Sequence, residues 1–184
     1  MLSHWLKIRK HLFLFGCFYL LIVFSSNKGN LYAQDPFAKI AILKGSNAIF
    51  RVSTLDQLNS GVTLTSWSKV QLYFNNSSCT GWELTISADN VALVSPTDSI
   101  PLSSLLLEPV ITNQVGEPNL QISSPSFSPT TADVWMLKGD GTSNVLIEFS
   151  LTYKLGTAAP LLNFDSGYYL VGLSINLSPI NYIP

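Results

Sequence analysis

Apolar residues in most of the chain recur at every second position, and the turn-forming residues between those runs divide it into many short segments. The clearest run is Val62–Phe74, where Val70, Leu72 and Phe74 alternate with Lys69, Gln71 and Tyr73. A period of two turns one face of a strand toward a core and the other toward water. Trp82, Leu84 and Ile86 alternate with Glu83, Thr85 and Ser87 in the same way. Between them, Asn75–Gly81 (NNSSCTG) is a turn cluster, so the two strands are expected to form a hairpin. Val145, Ile147, Phe149, Leu151 and Tyr153 mark a third long strand over Asn144–Leu155, and Gly167–Ser178 (GYYLVGLSINLS) reads as one final strand.

Shorter strands fit Ala48–Ser53, Ile100–Leu107, Asn119–Ser123 and Asp133–Lys138, while Leu55–Gly61 and Ser124–Thr131 read as loops. Six prolines, Pro96, Pro101, Pro109, Pro118, Pro125 and Pro129, punctuate the middle of the chain. Proline has no ladder donor, which confines it to strand ends, edges and loops. About eight to ten strands, spaced roughly 8–15 residues apart, predict an all-β fold, an Ig-like or Greek-key β-sandwich. It is expected over residues 47–184, with residues 35–46 as an N-terminal arm or first strand.

The N-terminal 34 residues follow a different pattern. Lys7, Arg9 and Lys10 precede Leu12–Phe24 (LFLFGCFYLLIVF), an uncharged apolar run. Its length suits the h-region of a signal peptide, about 7–15 residues, and falls short of the roughly 18–20 that a spanning helix needs. The polar stretch SSNKGNLYAQ follows, with cleavage expected after Ala33 or Gln34. Residues 1–34 are therefore expected to be a secretory signal peptide helix. The mature protein would start at Asp35, be secreted or held at the cell surface, and keep no stable membrane span.

Removing that segment changes the chemistry. Both histidines, His4 and His11, leave with it, as do Cys17 and four of the ten basic residues. Eleven acids against six bases then give a net charge of about −5, which disfavours nucleic acid and anionic membranes as partners. Without histidine, a Ser-His-Asp or Cys-His mechanism has no base, and histidine-containing zinc sites are ruled out. Cys79 is left without an internal disulfide partner, so it is either buried or paired between chains.

No carboxylate pair with glycosidase-like placement stands out among Glu83, Glu148, Asp133, Asp140 and Asp165. The Gly139-Asp140-Gly141 loop carries a single carboxylate and reads as a plain turn rather than a calcium loop. No catalytic residue, metal site or cofactor is expected, and the chain is read as non-enzymatic. The candidate ligand-binding residues are Trp67, Trp82 and Trp135, as an aromatic platform for a sugar ring. Core packing is the competing reading for Trp82 and Trp135. Trp67, at the start of a strand signal between Ser66 and Ser68, is the better candidate for exposure.

Two Trp-x-Leu motifs, Trp82-Glu83-Leu84 and Trp135-Met136-Leu137, together with the closing run from Gly167, resemble the bacterial WxL-type surface domain and related pilin-like β-sandwiches. The likeness covers roughly residues 45–178 in layout and is specific near Trp82 and Gly167. In the family the second Trp-x-Leu lies near the C-terminus, where this chain has Ser174, Ile175 and Asn176. The resemblance implies a surface β-sandwich acting by binding or assembly, with a cell-wall polysaccharide or another surface protein as partner. Strand addition at an exposed edge is one expected mechanism, with residues 35–46 as the segment to watch. The alternative is a carbohydrate- or cell-wall-binding module using exposed aromatics.

Overall fold

The computed structural model describes residues 37–181. The expected signal peptide lies outside the described residues. Within them the chain is an all-β sandwich of twelve strands and three antiparallel sheets. The strands are β1 (Ala38–Lys44), β2 (Ile49–Val52), β3 (Val62–Phe74), β4 (Gly81–Ala88), β5 (Ala92–Val94) and β6 (Ser99–Pro101), followed by β7 (Leu105–Val115), β8 (Gln121–Ile122), β9 (Val134–Gly139), β10 (Val145–Leu155), β11 (Gly167–Leu170) and β12 (Leu173–Ile180). The first sheet has the order β1-β3-β10-β7, the second β12-β4-β9-β8, and the smaller third β2-β11-β5-β6.

Alternation builds the core as expected. Val70, Leu72 and Phe74 from β3, Val145, Ile147 and Phe149 from β10, and Trp82, Leu84 and Ile86 from β4 are all buried in one cluster. Each fully buried large apolar side chain contributes about 1.5–3 kcal/mol relative to exposure. The opposite face of β3 and β10 carries the Lys69–Glu148 ion pair at 2.9 Å, and Gln71 donates to Glu148 at 2.9 Å.

Three local expectations are corrected. First, β3 and β4 do not form a hairpin: β3 pairs with β1 and β10, whereas β4 pairs with β12 and β9. The 75–80 connection arches from one sheet to the other, held by Asn75 N–H on Phe37 O (2.7 Å), Asn76 N–H on Thr142 O (2.8 Å) and Thr80 N–H on Ile180 O (3.0 Å). An arch sets the two apolar faces against each other across the core, while a hairpin would have put them side by side.

Second, the last apolar run is two strands. β11 joins the third sheet and β12 the second, with the break at Val171-Gly172. Gly172 donates its N–H to Asp89 Oδ1 at 3.0 Å and its carbonyl accepts from Asp89 N–H at 3.0 Å, so the chain turns there against the end of β4. This split, with the short strands β5, β6 and β8, takes the count past the eight to ten expected.

Third, the segment read as a loop at 55–61 contains helix α1 (Leu55–Ser60). Thr54 caps it, its side chain accepting from Gln57 N–H at 3.2 Å, while Gln57 Oε1 accepts from Ser53 N–H at 2.8 Å. This is a Thr-x-x-Gln capping pattern with the return bond shifted one residue outward. Within the segment expected as an arm or first strand, Ala38–Lys44 form β1, which pairs antiparallel with β3 from Ala38↔Phe74 to Lys44↔Lys69 and is a terminal strand of the first sheet.

Candidate functional site: a lateral cleft and the aliphatic strip at its mouth

β1 and β12 are terminal strands of the first and second sheets, and among the described residues neither has a second strand partner. On this side a cleft of about 590 Å³ opens into the sandwich. Its inner wall consists of Val70, Ile86, Leu151 and Ile175, the inward positions of β3, β4, β10 and β12. The loop from Gly45 to Ala48 forms one lip and Val171–Leu173 another.

The loop is held at two points. Trp67 Nε1 donates to Asn47 O at 2.8 Å, and Ser68 Oγ donates to Gly45 O. Gly45 has φ of 67°, and a Cβ there would overlap the Trp67 carbonyl, so the close approach requires glycine. Tyr153 Oη lies 2.7 Å from Ser68 Oγ. The single Ser68 proton is directed at Gly45 O, so Tyr153 is the donor in this second bond. Burial pushes the Tyr153 phenol above its ordinary pKa. Among the described residues, Asp89 is the one charged residue lining the cleft; Gly172 N–H occupies its Oδ1.

Outside the mouth, the exposed face of the third sheet carries a cross-strand row. Leu170 is in register with both Ile49 and Val94, and the three are 50%, 51% and 40% exposed. Tyr168 and Arg51 form the adjacent pair, with the guanidinium 5.9 Å from the ring centroid. Ile42, Ile49 and Leu170 also line the cleft, so strip and cleft are continuous.

The three candidate tryptophans are not brought together. Trp82 is completely buried, its Nε1 donating to Glu117 Oε2 at 2.9 Å, which corrects its assignment as an aromatic platform. An alternating strand whose neighbours Leu84 and Ile86 are also buried leaves its ring no outward path. Trp67 is exposed on the first sheet. Trp135 is half-buried on β9 in the second sheet, under the Lys138 ammonium at 4.8 Å.

Several carboxylates have structural partners. Glu83 pairs with Lys138 at 2.6 Å and Glu108 with Lys154 at 2.6 Å. Asp98 accepts from Asp165 N–H (2.8 Å) and Ser99 N–H (2.7 Å), which hold its carboxyl below the usual range. Asp140, which follows the end of β9, accepts from Asn119 Nδ2 at 2.8 Å. No group of three or more metal-ligating residues occurs among the described residues. Cys79 is buried, a free thiol 2.9 Å from Asn76 O.

Glu117 carries no signal of its own in the sequence. It is 2% exposed, and its Oε2 accepts from Trp82 Nε1 and from Gly141 N–H, both at 2.9 Å, while Oε1 accepts from Asn119 N–H at 3.2 Å. A Cβ on Gly139 would overlap this carboxylate. Glu117 thus ties the loop after β7 and the β9–β10 turn to the core tryptophan. The residues around it in the sequence, Gly116 and Pro118, signal only a turn.

The fold and cleft define an all-β sandwich open along one side. No protein-family model matches the chain, and no curated protein matches it. Among the described residues, no helix is long and apolar enough to cross a membrane.

Proposed function

We propose that this is an exported, non-enzymatic β-sandwich that works at the cell surface or outside the cell by binding or assembly, in the manner of the WxL-like and pilin-like surface domains it resembles. The observation that supports this reading best is the exposed row Ile49–Leu170–Val94 on the third sheet. Three large aliphatic side chains in direct register, beside an exposed tyrosine, form a contiguous apolar surface of the kind that marks interaction sites. Among the described residues β1 has a strand partner on one side only, and such an edge suits strand addition.

The test uses the purified protein in a concentration series by size exclusion, and in capture on peptidoglycan and surface proteins. Val94→Asp places a charge in the row without touching the cleft. Concentration-dependent assembly or capture that Val94→Asp abolishes supports the reading. A monomer at every concentration with no retention on either material refutes it.

A second reading, carbohydrate binding through exposed aromatics, has the exposed Tyr168 ring beside Arg51 and the 40% exposed Trp67 in its favour. It predicts retention on polysaccharide that Tyr168→Ala removes.

A further inference from the structure

The lateral cleft has a chemistry that the outer strip lacks, although Ile49 and Leu170 border both. Its inner wall is aliphatic, from Val70, Ile86, Leu151 and Ile175, and its volume of about 590 Å³ lies within the range of small-molecule sites, roughly 300–1,000 Å³. The inner polar groups present lone pairs only. Ser68 spends its proton on Gly45 O and Tyr153 spends its proton on Ser68, which leaves Tyr153 Oη an unused acceptor position. Asp89, the one charged lining residue, uses Oδ1 for Gly172 N–H and lies exposed at the lip. The side chains able to donate, Ser46 and Asn47, sit on the exposed loop.

We infer that the cleft binds a small amphipathic molecule whose apolar chain lies along the inner wall and whose polar end is a hydrogen-bond donor, an alkyl amine or alcohol rather than a carboxylate. A carboxylate would bring a second negative charge beside Asp89 and place lone pairs against lone pairs. An ammonium gains a charge-assisted bond to Asp89, about twice as strong as a neutral one. The cleft lies beyond the surface reading proposed above, and the two fail separately, because Val94 does not line it.

The test follows fluorescence of the neutral probe N-phenyl-1-naphthylamine with the purified protein, using decylamine, decanol and decanoate as competitors below their micellar concentrations. The expected result is saturable one-to-one enhancement, displaced by decylamine at concentrations about tenfold or more below those of decanoate, with decanol between. Asp89→Asn keeps the oxygen that receives Gly172 N–H and removes the charge; it should bring decylamine and decanoate within about twofold of each other. Ala48→Phe, on the lip, should lower probe affinity at least tenfold while the circular dichroism spectrum is retained. If that variant does not fold, Ser46→Trp on the exposed loop serves the same purpose. Absence of saturable enhancement, decanoate competing as well as decylamine, or full probe affinity in a folded lip variant would each overturn the inference.

Discussion

Glu117 offers the sharpest test of how the sandwich holds its loops. Replacing it with alanine removes the acceptor of Trp82 Nε1 and Gly141 N–H together, and of Asn119 N–H as well. A buried donor left without a partner costs about 1–3 kcal/mol. Two such donors near the core, with water recovering part of the loss as it enters the vacated space, give a destabilisation of about 3 kcal/mol. For a domain of this size that corresponds to a fall in Tm of roughly 6–12 °C. Glu117→Gln should cost less, about 1–2 kcal/mol. Its one oxygen can serve Trp82 and Gly141 at the Oε2 position, but its NH₂ then faces Asn119 N–H. The measurement is urea unfolding followed by tryptophan fluorescence and by far-ultraviolet circular dichroism, since coincident transitions are needed for a two-state free energy. Trp82→Phe in a double-mutant cycle with Glu117→Ala isolates the shared bond and should give a coupling of about 1 kcal/mol or more. A Glu117→Ala protein within about 0.5 kcal/mol of the parent, the range of ordinary surface substitutions, would refute the account.

Other outcomes follow from the same structure. Thr54→Ala removes the cap of α1 and should cost about 1 kcal/mol by denaturant unfolding, whereas Thr54→Ser should be nearly neutral. Gly45→Ala combines a left-handed backbone with overlap against Trp67 O; it should destabilise by at least about 1 kcal/mol and weaken probe binding in the cleft more than the exposed change Val110→Ser does. The carboxyls of Asp98 and Glu148 are both held below their ordinary pKa, the first chiefly by Asp165 N–H and the second chiefly by Lys69. Depressed carboxyls contribute stability that is fully present above their unfolded values, near pH 4, and is lost as pH falls through the folded ones. Stability should therefore decline below about pH 4–5, and Asp98→Asn with Glu148→Gln should flatten that limb in a Tm-versus-pH series.

Much of the architecture was legible as pattern. The two-residue period of Val70–Phe74, Trp82–Ile86 and Val145–Tyr153 identified the inward faces correctly, because burial in a sandwich depends only on which side of a strand a residue occupies. Turn clusters placed several strand ends for an equally local reason. The strand expected over Ile100–Leu107 is instead divided between β6 and β7, and β7 runs through Pro109 to Val115. An edge strand tolerates that proline because the missing donor faces away from its partner β10. The cap of α1 was also available, since Thr54, Gln57 and Gly61 stand at capping spacing. Six residues carry too little periodicity to show a helix, however, and none of them is fully buried.

Strand partnership and the polar sites were decided elsewhere. A period of two says that a strand has a core face but not which strand lies beside it, so β3 and β4 looked like a hairpin until the 75–80 arch separated them. The same limit concealed the division of β11 from β12, where Asp89 turns the chain at Gly172. Glu117 meets Trp82 from 35 residues away, and the cleft gathers Gly45, Ser68, Asp89 and Tyr153 from separate strands and loops. Alternation, turns and capping are interactions between near neighbours, so the linear order of residues is enough to specify an all-β sandwich and its inward faces. Partner choice, the buried Glu117 carboxylate and the donor–acceptor balance of the cleft depend on contacts between distant segments, which exist once the chain has folded.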